Sequence, residues 1–427
     1  MTVFAPSLAD EVLEVVRWAA AGATPLEIVG GGSRRGVGRP VAAEHVLDLS
    51  ALSGVTLYEP EELVLSARAG TRLAEIEALL AAMASGFASQ PVDHAPLLGG
   101  EAGQGSRREG TLGGVLAANA CGPRRVKAGA ARDHVLGVHA VSGRGAAFKS
   151  GGRVVKNVTG YDLAKLMAGS WGTLAAVTDV IFKVLPRAET EATLVLRGLS
   201  EADAAHAMAV AMTSSGEVSG AAHLPETVVG KVLSGGLKGW RGATLLRLEG
   251  FAPSVAYRFD RLAALLAPTA APERLEAEES RILWREIRDC IPFADGTQKP
   301  VWRVSMAPSQ GHHMVMALRM EAAVDAFYDW QGGLVWLRME GDAEAGAVRR
   351  QGAAPGGGPA APGPRPPAPP ARAAGVGRHA TLIRAPAALR AAVPVFEPQP
   401  EALAALSARV KAQFDPLNIL NPGRMYA

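Results

Sequence analysis

Residues 27–40, which read EIVGGGSRRGVGRP, combine the residue types that can hold a phosphate. Three consecutive glycines, from Gly30 to Gly32, follow a short apolar run that is typical of a strand. Ser33, which adds a hydroxyl donor, and Arg34 come next. Glycine allows a positive φ and a close approach of the backbone, so successive N–H groups can form a concavity that binds an anion. The stretch therefore predicts a phosphate site, with a tight glycine turn that holds no ligand as the alternative.

Two familiar nucleotide-binding motifs fit this loop badly. A P-loop needs a Gly-Lys-Ser/Thr sequence, and none follows the glycines. A G-x-G-x-x-G fingerprint can be placed on Gly30 and Gly32, but Arg35 then stands where the third glycine belongs, and no long helix follows. The loop alone therefore leaves the identity of the phosphate ligand open.

Two later segments are also rich in glycine. Residues 109–125 (EGTLGGVLAANACGPRR) place glycines beside small residues around Asn119, which suits a backbone close beneath a flat ligand or, alternatively, a buried turn. Residues 151–186 contain Gly160 and Asp162, which predict a turn into a helix, and then a second glycine turn before a strand. Each segment by itself is also compatible with an ordinary structural unit.

Few other side chains suggest chemistry. Arg303, in PVWRVSMAP, is the candidate for holding a substrate carboxylate because the guanidinium fork binds carboxylates in bidentate fashion; a surface arginine beside a packed tryptophan is the alternative. His312 and His313 would point to opposite faces of a strand, so they predict no metal pair. Cys121 and Cys290 have no metal or redox spacing. We therefore predict no metal site and no Cys-ligated iron–sulfur cluster in this chain.

These residues need a scaffold of mixed helices and strands. Residues 1–187 alternate between helical and strand patterns. Residues 188–340 combine strands such as ATLVLRGL with helices such as EADAAHAMAVAMTSS, which predicts one antiparallel sheet with helices on one face. Within 341–378, residues 351–376 are mostly Pro, Gly and Ala, which indicates a linker, an insertion or a sequence artefact. Residues 379–427 add another helix and an ordered coil.

The composition of the 427 residues excludes several classes of protein. Hydrophobic residues make up 48% and charged residues 20%, as in a soluble globular protein, and the length predicts two or more domains. A net charge of +3 is not the concentrated basic surface of a nucleic-acid-binding protein. No apolar run is long enough to span a bilayer, and residues 1–25 read as a helix rather than a leader peptide, so we expect a cytoplasmic protein.

In this order and spacing, the three glycine segments resemble the FAD-binding domain of the vanillyl-alcohol oxidase/p-cresol methylhydroxylase (PCMH) family. The resemblance covers residues 1–187 and the tail FDPLNILNPG. More narrowly, IVGGGSRRGVGRP, GPRRVKAGAARDHVLG, the segment 151–187 and NPGRM resemble the FAD-binding subunits of bacterial glycolate oxidase. The implied fold class is α+β: a two-subdomain PCMH-type FAD-binding domain over 1–187, followed by a smaller α+β cap domain, an antiparallel sheet with helices, over 188–340. The C-terminal segment 379–427 would pack back on the FAD-binding domain.

For the cofactor, the resemblance implies non-covalent FAD. The first loop would wrap the pyrophosphate, the second segment would line the flavin cleft, and the third would contact the far end of the cofactor. The cofactor-binding residues implied in this way are Val29, Gly30, Gly31, Gly32, Ser33, Arg34, Gly110, Thr111, Leu112, Gly113, Gly114, Asn119, Gly122, Gly160, Asp162, Gly172, Thr173 and Val177. Some relatives tether flavin near the first loop, where this chain has arginines; Cys121 and His94 are the nearby alternatives for attachment.

For function, the resemblance implies an FAD-binding subunit of a multi-subunit glycolate dehydrogenase that oxidises glycolate to glyoxylate. A larger FAD-containing subunit and an iron–sulfur subunit would be its partners, and the complex would carry electrons to a membrane quinone or another acceptor. Through that complex the chain would reach the inner face of the membrane. Two alternatives stay open: a structural or electron-relay subunit without its own turnover, and a free-standing FAD-dependent D-2-hydroxyacid dehydrogenase. Glycolate and D-lactate also stay open as substrates.

Overall fold

The computed structural model describes residues 2–99, 109–154, 160–237, 239–340 and 378–426. In the first half of the chain the strands are β1 (Thr2–Phe4), β2 (Leu26–Val29), β3 (His45–Asp48), β4 (Val55–Glu59), β5 (Val64–Arg68), β6 (Ser85–Gly86), β7 (Val135–Ser142), β8 (Ala146–Gly151), β9 (Ala175–Lys183) and β10 (Leu185–Pro186). The helices of this half are α1 (Ala9–Ala21), α2 (Leu73–Ala82), α3 (Ala95–Leu98), α4 (Leu112–Ala117), α5 (Arg125–Ala128), α6 (Ala131–His134) and α7 (Leu163–Met167).

A small parallel sheet carries the first glycine loop. Its strand order is β1-β3-β2, and both pairings are parallel. Val12 and Val16 lie four residues apart on one side of α1, and both are fully buried in a core cluster with Leu26 and Leu47 of the sheet. Because β2 ends at Val29, the glycine loop begins directly after a strand whose first residue, Leu26, is packed in this core.

A five-stranded antiparallel sheet, in the order β4-β5-β9-β7-β8, positions the second and third glycine segments. Its core includes Ile76 and Leu80 of α2 and Leu116 of α4. Thr111 caps α4 by accepting a hydrogen bond from Gly114 N at 3.3 Å. The cap fixes the direction in which the second glycine segment enters its helix.

The second half adds a larger sheet. Its strands are β11 (Thr190–Arg197), β12 (Gly220–Leu224), β13 (Ala243–Gly250), β14 (Pro272–Leu275), β15 (Val301–Ser305), β16 (Val324–Asp329), β17 (Leu334–Met339) and β18 (His379–Arg384). The helices are α8 (Glu201–Thr213), α9 (Glu226–Val229), α10 (Ala252–Leu266), α11 (Ala277–Arg288), α12 (Gly311–Arg319), α13 (Ala387–Ala392) and α14 (Glu401–Phe414).

These eight strands form one antiparallel sheet in the order β14-β11-β13-β12-β16-β17-β15-β18. Helices cover both of its faces, so the expectation of helices on one face is wrong. Leu194 of β11 packs in a core with α8 and α10, whereas Val195 packs in another core with α11. Successive strand residues point to opposite faces. Both residues are fully buried, so the strand requires cover on each side.

The C-terminal residues join both parts of the molecule. β18 pairs with β15 and so extends the large sheet, whereas the prediction assigned all of 379–427 to the FAD-binding part. The tail does reach that part, since Leu26 N donates to Ile419 O at 2.7 Å. The predicted linker over 341–378, including the Pro/Gly/Ala-rich residues 351–376, lies outside the described residues except for its last residue.

Candidate cofactor and substrate site

The glycine loop forms one wall of a narrow cavity of about 120 Å³. The other walls come from the second glycine segment, from the turn before β9 and from the C-terminal tail. Predicted residues that line this cavity are Val29, Gly30, Gly31, Gly32, Ser33, Arg34, Thr111, Gly113, Gly114, Gly172 and Val177. Three segments that lie far apart in the sequence therefore meet around one space, and we call it the cradle.

Glycine is required where the first two segments touch. A Cβ on Gly31 would lie 2.1 Å from Glu109 O, and a Cβ on Gly30 would lie 2.6 Å from Thr111 Oγ1. Gly32 has a φ of +74° and forms a parallel bridge with Glu109. A side chain at Gly31 would thus push the two segments apart, and one at Gly32 would strain the backbone.

The cradle presents backbone donors and a positive charge. Among the residues that the structure describes, none accepts a hydrogen bond from the backbone N–H of Gly30, Gly31 or Arg34. Arg424 donates from Nη2 to Arg34 O at 2.9 Å. Burial lowers the pKa of Arg424 to about 10, which leaves it charged at neutral pH. Amides on the wall of a cavity, beside a positive charge, suit a pyrophosphate, so these residues fit a dinucleotide such as FAD.

Asn421 closes the cradle from the tail. Its Oδ1 accepts from Ile28 N at 2.8 Å, and its Nδ2 donates to Trp171 O at 2.8 Å. One side chain therefore ties the strand before the glycine loop to the turn before β9. The motif NPGRM drew attention to this tail, but nothing in the sequence indicated which backbone groups Asn421 would reach.

A wider cavity of about 830 Å³ adjoins the cradle, and Ala118 and Trp171 line both. Predicted residues Asn119, Gly122 and Arg303 line it. Arg303 lies on β15, and its guanidinium carbon is 4.9 Å from the centroid of the Trp330 ring. Burial lowers the pKa of Arg303, and the Cys121 thiol beside it opposes that shift. Arg303 forms no ion pair with any residue that the structure describes, which leaves it available for an anionic ligand.

His94 reaches this wider cavity from the other side. Its Nδ1 lies 3.3 Å from Nε of Arg34, whose Nη2 also donates to Val92 O at 2.6 Å. A guanidinium can only donate, so His94 accepts at Nδ1 and carries its proton on Nε2. Burial, and then the charges of Arg34 and Arg303, hold the pKa of His94 well below its usual value. Its Nε2 is buried without a partner among the described residues.

Asp329 is a second buried titratable group in the wall of the wider cavity. One oxygen accepts from Trp330 N at 2.7 Å. Burial raises the pKa of this carboxyl to about 7, against the opposing effects of that hydrogen bond and of the Arg303 charge. The sequence did not indicate Asp329, nor the contact of Trp330 with Arg303. Both depend on the register of β15, β16 and β17, which places these residues around one cavity.

The remaining predicted residues lie elsewhere. Gly110, Leu112, Gly160, Asp162 and Thr173 line neither of these two cavities. Asp162 instead caps α7, since its Oδ1 accepts from Lys165 N at 3.2 Å.

The histidine pair has a different setting from the expected one. His312 and His313 lie in α12, not on a strand. Within the described ranges, no group of three metal-ligating side chains is found. In the same ranges, no helix is both long and apolar enough to cross a bilayer.

Known proteins that are similar to this chain are flavoproteins and subunits of oxidoreductases. The model of an FAD binding domain matches residues 2–151. Glycolate oxidase subunit GlcE of Escherichia coli (strain K12) is 33% identical over 420 residues, which cover 97% of this chain and 97% of that protein. Glycolate oxidase subunit GlcD of Bacillus subtilis (strain 168) is 43% identical over 89 residues, or 21% of this chain and 19% of that protein.

Among solved structures, p-cresol methylhydroxylase with substrate bound aligns with a TM-score of 0.68 at 12% identity. The alignment covers 99% of this chain and 88% of that chain. The predicted α+β, PCMH-type fold is thereby confirmed.

Proposed function

The chain belongs to the family of glycolate oxidase subunits that includes GlcE of Escherichia coli, and we propose that it is the FAD-binding subunit of a multi-subunit glycolate dehydrogenase. It is an FAD-dependent oxidoreductase by family. The observation that carries the proposal is the cradle, whose backbone N–H groups at Gly30, Gly31 and Arg34 have no acceptor among the described residues. The cradle adjoins a cavity lined by Arg303, which forms no ion pair with a described residue. The reaction would oxidise glycolate to glyoxylate.

The chain's own residues would bind the two halves of the cofactor differently. The N–H groups of Gly30, Gly31 and Arg34 would donate to the pyrophosphate, and Arg424 would supply positive charge. The ring system would reach the wider cavity past Ala118 and Trp171, which line both spaces. Bound flavin supplies the hydride acceptor. We propose non-covalent attachment, and we retain Gly110, Leu112, Gly160, Asp162 and Thr173 only as predicted contacts.

Arg303 would hold the substrate carboxylate. The guanidinium faces a cavity, stacks near Trp330 and forms no ion pair with a described carboxylate. A bidentate contact with a planar carboxylate suits this group better than it suits a lysine. Glycolate and D-lactate both present such a carboxylate, and both fit a cavity of about 830 Å³.

The proposal includes partners and a place in the cell. The local similarity to a GlcD protein, whose name denotes another glycolate oxidase subunit, supports a heteromeric assembly with a larger flavin subunit. An iron–sulfur subunit would receive the electrons. The complex would be cytoplasmic, at the inner face of the membrane. Within the chain, we propose an FAD-binding domain over 1–187, a cap domain over 188–340, a linker over 341–378 and a closing segment over 379–427.

The test is the flavin spectrum of the purified full chain. We expect bound FAD that is released by denaturation without proteolysis and is bleached anaerobically by glycolate or D-lactate. Retained flavin that neither acid bleaches would favour the relay or structural subunit. Turnover that needs no other subunit would favour a free-standing D-2-hydroxyacid dehydrogenase. Failure to retain or rebind FAD would contradict the proposal.

A further inference from the structure

One face of the large sheet presents a basic side chain, Arg303, and an acidic side chain, Asp329, to the wider cavity. Arg303 on β15 is paired with Trp336 on β17, and Asp329 on β16 is paired with Leu334 on the same central strand. Cross-strand partners share a face, and so do residues two apart on one strand. These four side chains therefore lie on one face of the sheet, and all four line the cavity.

Asp329 is a buried carboxyl on the cavity wall that keeps spare acceptor capacity. The residue is 2% exposed, and one of its oxygens accepts from Trp330 N. It forms no ion pair with any described residue, yet it is close enough to Arg303 for the two charges to interact. A buried carboxylate with spare acceptor capacity on a cavity wall can take a proton from a ligand.

The proposed substrate brings matching groups. A 2-hydroxy acid carries its carboxylate and its hydroxyl on adjacent carbons. When Arg303 holds the carboxylate, the hydroxyl would lie in the cavity whose wall Asp329 shares with Arg303. Oxidation of the carbon requires that the hydroxyl lose its proton as the C–H electron pair leaves, so a proton acceptor is needed at this place.

We propose that Asp329 is the proton acceptor for the 2-hydroxy acid bound through its carboxylate to Arg303. This assignment rests on the proposed function. The substrate O–H bond breaks and its proton passes to the Asp329 carboxylate. Bound flavin would supply the acceptor for the hydride of the C–H bond, which would break as the C=O bond forms. The substrate is oxidised, the flavin is reduced, and the carboxylate on Arg303 is unchanged.

Other charged and titratable groups surround this carboxylate. The groups that line the same cavity are Arg303 on β15, Arg288 on α11, His379 on β18, and His94, Cys121, Arg378, Glu397 and Tyr426. Arg125 on α5 contacts the ring of the neighbouring Trp330. His223 and Glu201 meet Tyr328, whose side chain points to the opposite face of the sheet. Burial lowers the pKa of His223 to about 4, and the pKa of His94 is also well below its usual value. Both imidazoles are therefore neutral between pH 6 and 8. Glu201 bonds to Tyr328 Oη and pairs with Arg319.

The first test is the binding of oxalate, a dicarboxylate that cannot be oxidised in this way, to the flavin-loaded full chain. Perturbation of the flavin absorbance would report its affinity. In the wild type we expect oxalate affinity to fall about tenfold from pH 6 to pH 8, because ionised Asp329 repels a second anion beside Arg303. In Asp329→Asn the affinity should stay constant over this range and should exceed that of the wild type at pH 8.

The second test is the rate of anaerobic flavin reduction by glycolate. In the wild type this rate should rise from pH 6 to pH 8 as Asp329 ionises, opposite to the trend for oxalate. In Asp329→Asn it should fall about 10²- to 10⁴-fold and lose its pH dependence. Asp325→Asn is the matched control, since Asp325 lies on the same strand, pairs with Arg338 and does not line the cavity; it should behave as the wild type does.

The outcomes separate two failures. A chain that retains no flavin contradicts the proposed function itself. Flavin that is retained but is reduced by neither glycolate nor D-lactate overturns the assignment of Asp329. So does an Asp329→Asn variant that keeps the pH trend of oxalate binding or the reduction rate of the wild type.

Discussion

The side chain of Arg34, at the end of the glycine loop, donates from Nε to Nδ1 of His94 across 3.3 Å. The contact joins the cradle to the wider cavity, because Arg34 lines the first space and His94 lines the second. A second bond, from Nη2 to Val92 O at 2.6 Å, holds the guanidinium in place. A residue of the glycine loop therefore fixes the tautomer of a histidine that lines the wider cavity.

The first prediction concerns the tautomer of His94. We expect ¹⁵N NMR of the full chain to show a neutral imidazole with its proton on Nε2 throughout pH 6–8, because burial and two guanidinium charges hold its pKa low. Arg34→Lys should release this fixed tautomer, since the single ammonium nitrogen cannot occupy the positions of both Nε and Nη2. Arg35→Lys, a change of the next residue, which pairs with Glu27, should leave it fixed. A protonated His94 at pH 7 would contradict the assignment.

The second prediction concerns the packing of the glycine loop. Gly31→Val should abolish FAD retention, because its Cβ would lie 2.1 Å from Glu109 O and neither backbone can move without opening the cradle. Gly32→Val should do the same through its φ of +74°. Gly36→Ala is the control, since a Cβ there meets only Leu98 at 3.8 Å. The measurement is the flavin-to-protein ratio. Wild-type ratios in both valine variants would show that the loop does not bind the cofactor.

The third prediction concerns the substrate carboxylate. Arg303→Ala should raise the KM for glycolate about 10- to 100-fold, since a hydrogen bond to a charged group contributes about 1.5–3 kcal/mol. Arg303→Lys should recover only part of this loss because it lacks the bidentate fork. Arg319→Ala, which removes an arginine outside the cavity, should leave KM unchanged. Anaerobic reduction of bound flavin over a range of glycolate concentrations gives the comparison, and an unchanged KM in Arg303→Ala would refute the role.

The fourth prediction concerns acid stability. His223 is fully buried, its Nδ1 lies 2.9 Å from Thr244 Oγ1, and burial lowers its pKa from 6.5 to about 4. Because the unfolded chain binds the proton first, stability is complete above pH 6.5 and is lost as the pH falls toward 4. This residue should remove about 2 kcal/mol of unfolding free energy between pH 7 and pH 5.

Urea denaturation at both pH values, compared with His223→Asn, measures that contribution. Asparagine can keep the bond to Thr244 but does not titrate, so the variant should lose less stability than the wild type over this range. Equal losses in the two proteins would show that His223 is not the group responsible.

Features that depend on neighbouring residues could be predicted from the sequence. The glycine loop and the entry of the second glycine segment into α4 follow from local backbone chemistry, and the structure brings them to one cradle. The resemblance added what local chemistry could not supply, namely the choice of FAD.

Features that depend on distant pairing could not be predicted in the same way. Asn421 bonds to Ile28 across 393 positions of the chain, and no local pattern encodes such a partner. The placement of Asp329 beside Arg303 requires the register of β15, β16 and β17. The double-sided cover of the large sheet had a signal in the consecutive apolar residues 194–196 of β11, since neighbouring residues of a strand point to opposite faces.

Asn421 also has a consequence for how the protein matures. A ribosome makes Ile28 and Trp171 long before it makes Asn421 and Arg424, yet both late residues form part of the cradle. A nascent chain that is still being elongated can fold its parallel sheet and expose the glycine loop, but its cradle stays open on the side that the tail covers. Capture of a cofactor in this cradle would therefore have to follow the synthesis of Asn421 and Arg424.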